Sequence, residues 1–143
     1  MSKLFLMCAG LIMLIGCGSD VYTGKDHPYR VLMRDMKPHY QTIEKFSKDA
    51  NLKDDALKAC MALEALGMEG SEMEPGFLKA DQVEAHQKLF SDIAFAAKNH
   101  AAYIKSGQIK QAQGLFKVLS GIKKEGHTNY KDQAKEHRGP DPK

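Results

Sequence analysis

Residues 106–131 read SGQIKQAQGLFKVLSGIKKEGHTNYK, and this stretch decides the fold. Beyond Gly107, large and apolar side chains recur every three or four residues, which lines up one face of a helix at about 100° per residue. The members of this stripe are Ile109, Ala112, Phe116, Leu119 and Tyr130. Nothing in the chain reads as an alternating, β-branched strand that would compete with this pattern. The stretch therefore predicts a long helix in an all-α protein.

Three further stripes of the same spacing precede it, at residues 29–46, 52–66 and 83–104. The second stripe stops at Gly67, a residue type that tolerates the left-handed conformation of a helix C-terminus. Residues 67–80 hold several glycines and Pro75, so they read as a connecting loop. Four helices with short connections predict an antiparallel, up-down-up-down four-helix bundle over residues 28–131. Residues 132–143 are polar and end in Gly-Pro-Asp-Pro-Lys, so we expect a disordered tail.

Proline and glycine disturb two of the predicted helices. Pro38 lies within the first one, where a proline removes a backbone hydrogen bond at about 3 kcal/mol, so this helix is either kinked there or begins there. The last helix carries Gly114, Gly121 and Gly126, where alanine would favour the helix by roughly 0.5 to 1 kcal/mol each. These glycines indicate either a bulky group against the backbone or simple tolerance.

The first 16 residues have the form of an export signal. Lys3 is followed by an apolar run from Leu4 to Ile15, which is too short for a transmembrane helix of about 20 residues. Leu14-Ile15-Gly16-Cys17 resembles the lipobox of bacterial lipoproteins, which implies cleavage before Cys17 and lipidation of its thiol. The alternative is an ordinary secretory signal with a chance cysteine.

The lipoprotein resemblance implies a location. Residues 17–27 would be a lipid-anchored tether, and the domain would lie on the periplasmic side of the envelope. Gly18, in place of an aspartate, points to the outer membrane.

The charge and thiol content exclude some classes of function. A net charge of +3 with both signs interspersed offers no basic stripe for nucleic acid. Cys60 is the only thiol left after removal of the leader and acylation of Cys17, so no intramolecular disulfide is expected. Its apolar helical surroundings favour a buried core cysteine over a reactive or metal-binding one.

One histidine falls on the apolar face of the last helix. Residues 116, 119, 123, 127 and 130 stay within about 80° of one another around a helix, so His127 shares the stripe of Phe116 and Tyr130. In an antiparallel bundle the start of helix 1 lies at the same height, which brings Met33 and Met36 opposite His127. A thioether facing an imidazole is the ligand pair of six-coordinate electron-transfer cytochromes, whereas the alternative is a partnered or frayed histidine beside ordinary core methionines.

Two stretches resemble the soluble cytochrome b-562 family, which are four-helix proteins that bind haem noncovalently. MRDMKPHYQTIEK at 33–45 is similar to the family's first helix, and SGQIKQAQGLFKVLSGIKKEGHTNYK at 106–131 is similar to its fourth. The resemblance implies that Met33 and His127 are the two axial ligands of haem iron, with Met36 as an alternative to Met33. It covers most of residues 29–131.

The related cytochromes c′ attach haem through Cys-x-x-Cys-His on the fourth helix. Here Lys123 and Gly126 stand where the two cysteines would be, so covalent attachment is excluded. Pro38 and Gly126, which replaces an aromatic residue beside the family's histidine, depart from the cytochrome b-562 pattern.

Other sites are not indicated by the sequence. No HExxH motif is present, and we expect most of the remaining histidines to be solvated; they are His27, His39, His86, His100 and His137. Signatures of hydrolases and transferases are also missing from the sequence, so we do not expect an enzyme.

Two hypotheses follow. The first is an envelope-located b-type cytochrome that binds one haem b and exchanges single electrons with an unidentified redox partner protein. The second is a haem-free bundle of the same ancestry that serves as a binding or structural lipoprotein.

Overall fold

The computed structural model describes residues 28–136, which form four α-helices. They are α1 (Pro28–Phe46), α2 (Lys53–Ser71), α3 (Ala80–Lys105) and α4 (Ile109–Glu136), and a 3₁₀ turn at Ala50–Leu52 precedes α2. These residues contain no strand, so the predicted all-α class and four-helix bundle are confirmed. The predicted leader, Cys17, the tether and residues 137–143 lie outside the described residues.

Successive helices pack against each other. α2 lies between α1 and α3, and α4 packs mainly on α3, whereas α1 and α4 touch at few points. The predicted stripes supply most of the core, and Leu32, which the stripe of the first helix does not include, joins it. Its fully enclosed side chains include Leu32, Ile43, Phe46, Leu63 and Leu119.

Small residues bring α2 and α3 close together. Gly67 and Gly70 are buried inside α2, which continues to Ser71, so the prediction that Gly67 ends the helix is wrong. A Cβ atom on Gly67 would lie 2.9 Å from the Ala94 nitrogen, and one on Gly70 would lie within the van der Waals radius of the Phe90 ring. These glycines are therefore required by close packing and not by the end of a helix, and the loop is confined to residues 72–79.

α1 begins at Pro28, the first helical position, where a proline's missing N–H and fixed φ fit a helix start. It then runs past Pro38 without a break, so the option that the helix begins at Pro38 is wrong. The hydroxyl of Thr42 donates a hydrogen bond to the Pro38 carbonyl at 3.0 Å. Pro38 is itself exposed, which places its ring outside the core.

α3 ends at Lys105 before a turn through Gly107, and α4 extends further than the sequence predicts. Gly107 has φ +74°, the left-handed conformation that follows a helix C-terminus. α4 continues to Glu136, so residues 132–136 of the predicted tail are helical. Within 28–136 no helix is both long and apolar enough to cross a membrane.

Candidate functional site

A cavity of about 530 Å³ lies between α1 and α4, with α2 and α3 contributing its floor. That volume is within the range of about 300–1,000 Å³ that is common for small-molecule and cofactor sites. Most of its lining is apolar. The apolar wall and floor are formed chiefly by Leu63, Leu89, Phe90, Ile93, Leu119 and Ile122.

One end of the cavity is closed where α4 begins. The side-chain amide of Gln113 donates a hydrogen bond of 2.8 Å to the carbonyl of Phe46, the last residue of α1. The rings of Tyr40 and Phe116 lie 5.3 Å apart, and Lys123 places its ammonium group 4.2 Å from the centre of the Tyr40 ring. The end of α1 is therefore fastened to the start of α4.

An aromatic cluster closes the other end, where α1 begins and α4 approaches its end. His86 of α3 lies at its centre, with ring centroids 5.1 Å from Phe90 and 5.1 Å from Tyr130. Tyr29 packs on Phe77 at 5.1 Å, and its hydroxyl forms a 3.2 Å hydrogen bond with Nε2 of His86. Between these two closed ends α1 and α4 are held apart.

The residues that the sequence puts forward as iron ligands all line this cavity. Met33 is half-buried and Met36 is buried in the α1 wall, whereas His127 lies on the α4 wall with an exposed side chain. Although the side chain is exposed, the surrounding chain shields part of the imidazole from water, which lowers the pKa of His127 from its ordinary value, and the nearby charges of Lys123 and Lys131 lower it further. The imidazole of His127 is therefore favoured in its neutral form, which is the form that binds metals.

His86 is a cavity residue that the sequence interpretation missed. It is 2% exposed, so the expectation of a solvated side chain is wrong for it. Burial lowers its pKa to about 4, and its Nδ1 has no hydrogen-bond partner among residues 28–136. The sequence pattern does indicate a buried His86, because this residue lies at helical spacing before Phe90 and Ile93, on the stripe that forms the core.

His100 is also buried, with no exposed surface, so it too departs from the expectation of a solvated histidine. Neither ring nitrogen makes a hydrogen bond of good geometry within the described chain. Burial lowers its pKa to about 4, and the backbone of Ala112 offsets part of that effect. His39 is half-buried, whereas His27 and His137 lie outside the described residues.

Cys60 is fully buried, which confirms the core interpretation of this residue. Burial raises the pKa of its thiol to about 12. The thiolate, which is the nucleophilic and metal-binding form, is therefore disfavoured at neutral pH.

Cationic side chains gather at the mouth of the cavity. Those that line it are Arg30, Arg34 and Lys37 of α1 and Lys123 and Lys131 of α4. Glu44 is the only carboxylate in the same lining. Residues of both charges are mixed along the sequence, but the fold brings mainly cationic ones to the mouth of the cavity. The mouth is therefore basic.

The comparisons with known proteins give no match: no family model, curated protein or solved structure matches this chain. Over residues 28–136, no group of three or more His, Cys, Asp or Glu side chains is arranged to hold a metal ion. The resemblance to cytochrome b-562 therefore stays a hypothesis that rests on the quoted residues and on the arrangement of the cavity.

Proposed function

We propose that this chain is a b-type cytochrome that binds one haem noncovalently in the cavity between α1 and α4 and carries single electrons. One observation carries the proposal: Met33 and His127, which the resemblance implies as iron ligands, lie on facing walls of one cavity although they come from opposite ends of the described chain. Two ligand types in the right chemical pairing, brought to one apolar space, are what a cytochrome requires.

The residues present fit the group. A thioether and a neutral imidazole are the two donors, the cavity has cofactor size, and its floor is apolar. Bound haem supplies a one-electron couple between Fe(II) and Fe(III). His127 would hold the iron from α4 and Met33 from α1, where the soft methionine sulfur favours the reduced state and raises the potential.

The other residues of the cavity exclude water and hold α1 in position. Leu63, Leu119 and Ile122 keep water from the floor, which sets the local dielectric around a metal centre. The hydrogen bond from Tyr29 to His86 holds the first turn of α1, one turn before Met33, against α3. Met36, which is more deeply buried than Met33, is the alternative donor on the same wall.

The setting proposed for this cytochrome is the bacterial envelope, with the bundle in up-down-up-down order. The antiparallel order is supported by the contacts that join Phe46 to Gln113 at one end and His86 to Tyr29 and Tyr130 at the other. The lipobox-like Leu14-Ile15-Gly16-Cys17 supports lipid anchoring at Cys17, on the periplasmic side of the outer membrane. The redox partner would then be another envelope protein.

A spectroscopic experiment tests the function. The full-length chain, produced in the bacterial envelope and purified in detergent, is titrated with hemin, and reduced-minus-oxidised visible spectra are recorded. We expect a low-spin b-type spectrum that is lost in His127→Ala and kept in His39→Ala, a control histidine that does not line the cavity. The absence of a Soret band after reconstitution would refute the cytochrome.

The two methionines are separated by the same spectra. We expect Met33→Leu to abolish the methionine-ligated low-spin signal and Met36→Leu to leave it in place. The opposite result would assign the ligand to Met36, which also lines the cavity.

A haem-free bundle is the alternative function. The observation in its favour is the exposure of the His127 side chain, which a tightly held ligand would be expected to cover. In that case the same cavity would bind an apolar molecule or a partner protein, and hemin would give no low-spin spectrum.

A further inference from the structure

The cationic residues of α1 follow the helix as a stripe. Arg30, Arg34 and Lys37 are three and four residues apart, so they share one face of α1. This face runs beside the apolar face that carries Met33 and Met36 into the cavity. The α1 wall is therefore apolar at depth and positively charged at its rim.

α4 repeats this arrangement on the opposite side. Lys123, His127 and Lys131 follow one another at four-residue intervals and all line the cavity. Leu119 and Ile122 lie deeper on the same wall and are far more buried than the two lysines. Both sides of the mouth thus carry positive charge above an apolar interior.

The charges of the mouth are only partly neutralised by the chain itself. Arg34 lies 3.7 Å from Asp35, and both side chains are more than half exposed. Glu44 pairs with Lys48 at 3.6 Å. Lys37 and Lys131 form no ion pair with the described side chains of residues 28–134, so one cation on each side is open to a ligand.

Like charges around one opening repel each other, and a bound anion relieves that repulsion. A carboxylate at the rim would accept charge-assisted hydrogen bonds from lysine and arginine, which are stronger than neutral ones. The apolar floor, in turn, favours a ligand whose buried part is apolar, because burial of apolar surface is favourable. The two requirements together describe a molecule with an apolar body at one end and carboxylates at the other.

We infer that the mouth of the cavity binds carboxylates through Lys37 and Lys131, so that the cavity takes a tetrapyrrole dicarboxylate whether or not it carries iron. This rests on the proposed function for the choice of a tetrapyrrole, and it adds a recognition that does not depend on Met33 or His127. Iron ligation and carboxylate binding are then separate contributions to affinity.

The experiment uses the full-length chain, purified in detergent without bound pigment, and two iron-free probes. Metal-free protoporphyrin IX and its dimethyl ester are titrated by fluorescence. We expect the ester, which has lost both negative charges, to bind at least about tenfold more weakly, the scale of two partly exposed ion pairs. We also expect the preference to shrink as salt is raised, because the mouth is at the surface.

A matched pair of double variants locates the effect. Lys37→Gln with Lys131→Gln should weaken protoporphyrin IX binding by about tenfold and leave binding of the ester unchanged. Lys58→Gln with Lys98→Gln makes the same change of charge on exposed residues of α2 and α3 that do not line the cavity, and it should change neither affinity. Equal binding of the acid and the ester, no binding of the acid, or equal effects of the two double variants would overturn the inference.

Hemin on the same preparations distinguishes this failure from that of the cytochrome. A low-spin hemin spectrum with no preference for the acid over the ester would leave the cytochrome standing and remove the carboxylate site. Carboxylate-dependent binding of protoporphyrin IX without a low-spin hemin spectrum would support the carboxylate site and refute the cytochrome.

Discussion

The bundle has one close-packed interface and one open one. Between α2 and α3, Gly67 and Gly70 bring the helices so close that a methyl group would collide with Ala94 or Phe90. Between α1 and α4, two closed ends hold the helices around a cavity of about 530 Å³. The same four-helix scaffold therefore contains an interface with no room for an added methyl group at two positions and an interface that leaves room for a ligand.

The difference teaches where stability and function reside. Well-packed interiors transmit strain and tolerate little change in volume. The residues that line a cavity, by contrast, lack the contacts that close packing would supply, and a bound ligand can provide those contacts. We therefore expect changes at α2–α3 to act on the free energy of unfolding, and changes at α1–α4 to act on binding.

Acid should have the largest effect, because α3 holds two buried histidines. His86 lies at the cavity and His100 in the packed part of α3, and burial lowers both pKa values from 6.5 to about 4. Below about pH 6.5 these two histidines take up protons in the unfolded chain but not in the folded chain. Their contribution to the free energy of unfolding is therefore complete above pH 6.5 and is lost as the pH falls toward 4. Between pH 7 and 5 we expect a loss of about 2 kcal/mol for each histidine.

Urea unfolding of the haem-free chain at pH 7, 6 and 5 measures this loss. His100→Leu should remove about half of the pH dependence, and the other half should remain with His86. Equal slopes in the original chain and in His100→Leu would show that His100 is not responsible.

Gly70→Ala should have the next largest effect. The new methyl group would overlap the Phe90 ring, and because that ring is buried and cannot move aside, the overpacking cost is at the upper end of its range, about 3 kcal/mol. The better helix propensity of alanine returns about 1 kcal/mol, so we expect a net loss of about 2 kcal/mol in the free energy of unfolding. Unchanged stability in a urea titration would mean that α2 and α3 are not in close contact here.

Tyr29→Phe should have a smaller effect, confined to the end of the cavity where α1 begins. It removes the hydroxyl that is hydrogen-bonded to His86 and leaves a buried ring nitrogen without its partner, at a cost of about 1 kcal/mol. We expect faster amide hydrogen exchange in the first turns of α1 and no change in α2. Uniform destabilisation of all four helices would contradict the separation of the two interfaces.

Gly114→Ala should have the smallest effect, and it should be of opposite sign. Nothing lies within 4 Å of a Cβ atom at this position, so alanine adds helix propensity without a clash. We expect stabilisation by about 0.5 to 1 kcal/mol, measured by the same urea titration. It is the matched control for Gly70→Ala, because the chemical change is identical.

Periodicity predicted most of the fold. The stripes at 29–46 and 83–104 match α1 and α3, and Gly107 ends a helix as its residue type indicates. Gly67 shows the limit of this reasoning. A buried glycine that admits a neighbouring helix and a glycine that ends a helix look the same in one sequence, and only the facing residue, Ala94, distinguishes them. Gly114 and Gly121 meet no neighbour, which favours simple tolerance at those positions.

The candidate site was predictable in part. Met33 and His127 share a cavity because each falls on an apolar stripe, which sequence spacing reveals. His86 and His100 fall on such a stripe as well, although their residue type alone indicates solvated side chains. The basic mouth could not be read from the sequence, because Lys37 and Lys131 become neighbours of one opening only when α1 meets α4.

The contact between Phe46 and Gln113 spans 67 positions of the chain, whereas α2 and α3 are joined by a short loop. Contacts between distant segments require more loop closure and tend to form late, so α2 and α3 can assemble as a hairpin before α1 and α4 meet. The same closure is the natural place for local opening of the folded chain. Any ligand of the cavity would then enter when α1 and α4 close, and opening of these two helices would limit the rate of its release.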